Sequence, residues 1–273
     1  EAVTAYALID PLFQVPLLVG FLLAAVLPLL GVLLRLRGEW LAALGLAHLS
    51  GASALAGLAV GIPAVAGAPI GAAMGAVLKT FGRFRGNTIY AVMILAGWSG
   101  TMLLAANTPL GSAMGHALID GQLYFAGKIQ LLAASLLALM AFAALPWLMP
   151  RLILAEFFPG YELANHLPAW RWHLVFDLLA AVGLAVGTGT VGLMGAFALV
   201  FLPPWLAFRI ATSWRATLII AAVTGILGFL TAFALALYLD QPFGPVLVAQ
   251  LFIIAVFIEK PGAASKENVS ARK

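Results

Sequence analysis

Nine mostly apolar stretches follow one another along the chain, at residues 11–34, 40–60, 62–78, 88–106, 127–149, 172–187, 190–208, 216–238 and 243–258. A helix needs roughly 20 such residues to cross the hydrocarbon of a bilayer. The rest of the 273-residue sequence agrees: 64% of it is hydrophobic and 9% is charged, against about 25% charged in soluble domains. Mean hydropathy is +1.09. The first run, 11–34, is too long for the core of a cleavable leader. The expected fold class is all-α, a polytopic transmembrane helical bundle. Gly-Thr-Gly-Thr at 187–190 separates two short runs, so the count is nine spans, or eight where one of that pair is broken or re-entrant.

Basic residues orient the spans. With the N-terminus outside and the C-terminus cytoplasmic, thirteen of the fourteen Lys and Arg residues fall on the inner side, and only Lys128 does not. Such an excess is the usual mark of cytoplasmic loops. Residues 1–260 are read as one transmembrane domain. The polar segment 261–273, PGAASKENVSARK, has no apolar periodicity and is expected to be a disordered cytoplasmic tail.

Composition also excludes. There is no Cys, hence no disulfide and no thiolate metal site. The net charge of +4 is scattered between apolar runs rather than gathered into a patch with aromatics, which argues against nucleic acid. No phosphate-binding loop is present, so any ATP used in transport is bound by another chain. Small residues run through the spans, as in GAPIGAAMGAV at 67–77, and let helices approach closely.

Ionisable groups inside a bilayer usually mark a pathway. His48 stands in LAALGLAHLSGASALAG, eleven residues beyond Arg37, or about 16 Å along a helix, near mid-membrane. Its plain structural role is a neutral ring bonded to a neighbouring helix; its functional role is on a translocation path. Ser50, Ser99 and Gln250 are further path candidates. Gly97-Trp98-Ser99-Gly100 together with His48 resembles the Ser–His dyad of rhomboid intramembrane proteases, which requires base and hydroxyl within hydrogen-bond reach. Short strings of small residues are common in a chain like this, and His precedes Ser here, the reverse of the rhomboid order. Helix packing is the favoured reading of that string.

The long segment 150–171, PRLILAEFFPGYELANHLPAWR, carries Glu156, Glu162, His166 and flanking arginines. Pro159-Gly160 and Pro168 bound one short helix from Tyr161 to His166, either a connection or a docking element. His173 and Asp177 are spaced i, i+4 and are expected to pair on one helix face.

VGLMGAFALVFLPPWLAFRIATSWRATL (191–218) and GFLTAFALALYLDQPFGPVLVAQLFIIAVF (228–257) resemble the permease subunits of zinc/manganese-type ABC importers. The matching positions are Gly192, Pro203, Ala207, Asp240, Pro242 and Gly244. GYELAN, Gly160, Tyr161, Glu162, Leu163, Ala164 and Asn165, resembles that family's ATPase-docking segment, and GVLLRLRGEWLAALGLAHLS (31–50) the approach to its metal-path helix.

The resemblance implies a homodimeric permease in a prokaryotic plasma membrane, with cytoplasmic ABC ATPase subunits and an extracytoplasmic metal-binding protein as partners. Its cargo would be a divalent metal, zinc or manganese, and this chain would bind no cofactor itself and perform no covalent chemistry. One departure stands out. The family's Asp four residues before the helix-2 His is Leu44 here, and Gly51, Ala52 and Ser53 replace its Leu-Pro-Gly. His48 then stands as a transient metal ligand, and a metal chelate or another small solute is the alternative cargo.

Overall fold

The computed structural model describes residues 11–82, 86–108, 121–158 and 160–258. Among the described residues ten α-helices form in order: α1 Pro11–Leu36, α2 Trp40–Ala59, α3 Ala64–Phe81, α4 Asn87–Asn107, α5 Lys128–Phe157, α6 Tyr161–Ala164, α7 Trp170–Val191, α8 Leu193–Ile210, α9 Trp214–Leu239 and α10 Phe243–Ile258. A 3-10 turn, Leu123–Phe125, precedes α5. Eight of these helices are long and apolar enough to span a membrane, and a ninth apolar helix, α10, is shorter. Apolar length is a local property of the sequence, which is why the expected spans and the helices coincide within a few residues at most ends.

The exception is the junction after α7. The helix runs straight through Gly-Thr-Gly-Thr to Val191, and the break is the single residue Gly192, with φ of 87° and ψ of 162°. Thr190 bridges this stretch by donating its hydroxyl to the Val186 carbonyl at 2.7 Å, so the threonines continue the helix instead of interrupting it. Only glycine adopts that backbone readily, and it turns the chain at once into α8.

α1 is the centre of the bundle. Val19, Leu23, Ala24, Leu27 and Leu33 are fully buried, and α5, α7, α8 and α9 surround it. Pro16 and Pro28 lie inside this helix. Proline is tolerated there because neighbouring helices satisfy the freed backbone groups. At the end where α1 begins, Phe13, Tyr124, Phe233 and Phe243 form an aromatic cluster with centroids 5.4–6.5 Å apart.

α2, α3 and α4 form a second, closely packed layer. A Cβ on Gly67 would stand 2.8 Å from the Ser53 carbonyl oxygen, and one on Gly97 would stand 2.5 Å from the His48 carbonyl carbon. The small residues of 67–77 and of the Gly97 string therefore seat helix backbones on one another. α4 has its outer side bare: Leu95, Trp98 and Leu103 are exposed.

The opposite end of the bundle collects charge. Arg35 lies over the Phe208 ring at 5.6 Å, Lys79 reaches Glu39 and Asp177, and Arg151 shares a recess with Glu162. Lys128, by contrast, begins α5 at the far end. Arg83, Arg85, Lys260 and the tail 261–273 lie outside the described residues.

Candidate functional site

His48 is the ninth residue of α2 and is half-buried, as are Leu41, Leu44 and Ala52. These residues recur at helical spacing and make the least covered face of α2, while Ala43, Leu46, Ala47 and Ser50 are buried on the other side. The imidazole thus stands at mid-helix on a face that this single chain leaves partly open. Leu44 is one turn before it on that same face.

The other path candidates are dispersed. Ser50 is fully buried, and its hydroxyl has no partner among the described residues. Ser99 is exposed on α4 and donates to the Ala96 carbonyl of its own helix at 3.2 Å. No hydrogen bond joins it to His48 among the described residues, and the adjacent Gly97 meets the His48 backbone instead of its ring. Gln250 belongs to the α9–α10 contact: its amide donates to the Gly228 carbonyl at 3.3 Å and to the Thr231 hydroxyl. His48 and Ser50 share α2, which packs on the α4 of Ser99 with Gly97 against the His48 backbone, whereas Gln250 is in a different part of the bundle. Among the described residues no group of three or more His, Asp or Glu is placed to hold a metal.

At the charged end, α6 covers only Tyr161–Ala164, shorter than the expected Tyr161–His166. It stops because His166 takes a left-handed backbone, φ 51°, and Asn165 caps the turn by donating its amide to the Tyr161 carbonyl at 2.8 Å. Leu163 is 81% exposed, and Phe157, Phe158 and Tyr161 are exposed beside it. Glu162 points back into the chain: its Oε1 accepts from Trp172 Nε1 at 2.6 Å, and its Oε2 lies 3.5 Å from His173 Nε2.

The expected pairing of His173 with Asp177 is not what forms. His173 goes to Glu162, and Asp177 goes to two cations from distant parts of the chain. Asp177 Oδ1 accepts from Arg37 Nη1 at 3.0 Å and from Lys79 Nζ at 2.7 Å. Glu39 Oε2 holds the same two cations, at 2.8 Å from Arg37 Nη2 and 2.7 Å from Lys79 Nζ. Two cations and two carboxylates alternate in a closed square with no net charge. The side chains of Arg37, Lys79 and Asp177 are 9%, 9% and 4% exposed. Burial disfavours the Arg37 cation, but the Asp177 and Glu39 carboxylates outweigh it and raise its pKa. Sequence reasoning missed this square because, although Arg37 and Glu39 are neighbours, Lys79 and Asp177 come from 40 to 140 positions away.

A family model described as the ABC 3 transport family matches residues 10–259. The chain belongs to the ABC 3 transport family. Its fold is also that of solved structures at low identity. One, PsaBC from Streptococcus pneumoniae in complex with Fab, superposes with a TM-score of 0.83 at 14% identity over 96% of each chain. Another, an inward-facing metal-chelate type ABC transporter, gives 0.71 at 16% identity over 89% of this chain and 84% of the other. No curated protein matches the sequence.

As an ABC 3 permease, the chain is the multi-pass membrane component of a transporter. The positions that carried the resemblance have structural work in it. Gly192 makes the α7–α8 break, and Pro203 and Ala207 are buried in α8. Asp240 ends α9 in a left-handed conformation, φ 52°, and Pro242 precedes the first residue of α10. Asp is among the few non-glycine residues that tolerate that conformation.

Proposed function

We propose that this ABC 3 permease is the membrane subunit of a prokaryotic plasma-membrane importer for a divalent metal ion, zinc or manganese. It works as a homodimer with cytoplasmic ABC ATPase subunits and receives cargo from an extracytoplasmic metal-binding protein. The observation that carries this reading is the imidazole of His48 at mid-helix, on the half-open face of α2, within a fold of this family. A neutral imidazole offers one lone pair to a borderline metal ion. Alone it holds the ion weakly, which suits a conduit that must release what it takes. The bare side of α4 beside that face is the surface we assign to the second copy.

The collection of basic residues at one end supports an orientation with that end, and the C-terminus, in the cytoplasm. There α6 presents Leu163 to the ATPase, while Glu162 ties it to α7. Closure of the ATPases on ATP then moves this segment and switches access to the path. Ser50, Ser99 and Gln250 are at most secondary to His48 on that route. A chelated metal is the second reading: Leu44 removes the carboxylate a bare ion would use, and one of the structural relatives is of metal-chelate type. The test is uptake of zinc, manganese and a metal chelate by proteoliposomes holding the permease, its ATPase and its binding protein. ATP-dependent accumulation of the bare ion supports the first reading, and accumulation of the chelate alone replaces it with the second.

A further inference from the structure

We propose that the Arg37–Glu39–Lys79–Asp177 square is the joint through which the coupling segment moves α2, the helix that bears His48. This rests on the reading of α6 as the segment that meets the ATPase. A continuous series of contacts leads from one to the other. Glu162 of α6 accepts from Trp172 and lies against His173, both in the first turn of α7. Asp177 stands one turn further along α7 and holds Arg37 and Lys79. Both cations also hold Glu39, the residue immediately before the start of α2. His48 is nine residues further along α2.

The square has the chemistry of a joint more than of a staple. A buried ionic cluster gives little stability over well-packed apolar side chains, because taking charges out of water offsets their attraction. What it provides is two discrete arrangements. If α7 withdraws Asp177, Arg37 and Lys79 both still have Glu39 to hold, so neither cation is stranded and α2 is released from α7. If Asp177 returns, the closed square draws the starts of α2 and α7 and the end of α3 back together. A bistable element that two sites can bias is what transmission between them requires.

The chain has no Cys, so Leu44→Cys gives a single attachment point for a spin label on α2, one turn from His48. In proteoliposomes with the ATPase and binding protein, labelled wild-type permease should show an ATP-dependent change in the label's spectrum. Asp177→Asn should abolish that change and lower uptake per ATP about tenfold, within the usual range of coupling between sites, while hydrolysis continues. Inverting all four corners together, Arg37→Glu, Glu39→Arg, Lys79→Asp and Asp177→Lys, restores the alternation of charge and should recover both. Glu39→Gln, at the more exposed corner, serves if Asp177→Asn does not fold, with the same expectation. A label signal and uptake that persist in Asp177→Asn or Glu39→Gln overturn the joint, even if Leu163→Arg uncouples transport and so upholds the docking of α6. If Leu163→Arg transports normally, the docking reading fails, and the label signal alone then decides whether α7 and α2 move through the square.

Discussion

Lys79 Nζ, near the end of α3, lies 2.7 Å from Asp177 Oδ1 on α7 and 2.7 Å from Glu39 Oε2 at the start of α2. One ammonium group therefore holds three helices together at the charged end of the bundle, with Arg37 completing the square. Removing a single corner leaves one uncompensated charge among the other three.

Asp177→Ala leaves Arg37 and Lys79 buried with one carboxylate between them, and is expected to destabilise the folded protein by about 3–5 kcal/mol. Replacing Lys79 and Asp177 together by Leu removes one charge of each sign and leaves the Arg37–Glu39 pair, so its stability should return close to wild type. Thermal unfolding in detergent measures both. Equal losses in the single and double variants would rule out the uncompensated-charge account.

The α2–α4 contact depends on the missing side chain at Gly97. A Cβ there would stand 2.5 Å from the His48 carbonyl carbon, so even Gly97→Ala must push the two helices apart. The expected loss is about 1–3 kcal/mol, the usual range for an overfilled contact. Gly100→Ala meets only the Ala52 methyl at 3.4 Å and should be milder. The order of the two melting temperatures checks this.

Leu44 and His48 share one face of α2, one turn apart. Leu44→Asp places a carboxylate beside the imidazole and should tighten zinc or manganese binding to the purified permease, as seen by isothermal titration calorimetry. Tighter retention should also slow release and lower uptake. His48→Ala should reduce uptake with little change in folded yield. Wild-type transport by His48→Ala would remove the imidazole from the path.

Leu163 is exposed and touches no core, so Leu163→Arg should leave expression and melting temperature unchanged. Stimulation of the ATPase by the permease should be lost. Glu162→Arg differs: it also breaks the bonds to Trp172 and His173, and should lower the melting temperature as well as uncouple. Hydrolysis and uptake by Leu163→Arg at wild-type levels would show that α6 docks elsewhere.

The sequence by itself determined the spans, the small-residue packing of α2, α3 and α4, the short element near Tyr161 and the chemical interest of His48. Each is written within one helix length, as apolar run, glycine spacing, bounding proline or isolated polar group, and lipid admits few alternatives to a helix for an apolar run. The tertiary structure alone decided where side chains went once helices met. His173 and Asp177 have the spacing of a partnered pair, yet each found a stronger partner from another element: Glu162 for the first, Arg37 and Lys79 for the second. Spacing along one helix sets which groups can meet, but a buried carboxylate takes whichever cations packing brings within reach, because an unpaired buried charge is the costlier state. Gly192 and His48 follow the same division. Glycine's freedom at 192 could be read from its type, while the turn it makes was settled by how α7 and α8 pack. The imidazole at 48 could be read as unusual, while the half-open face it stands on exists because α3, α4, α7 and α8 cover the rest of α2.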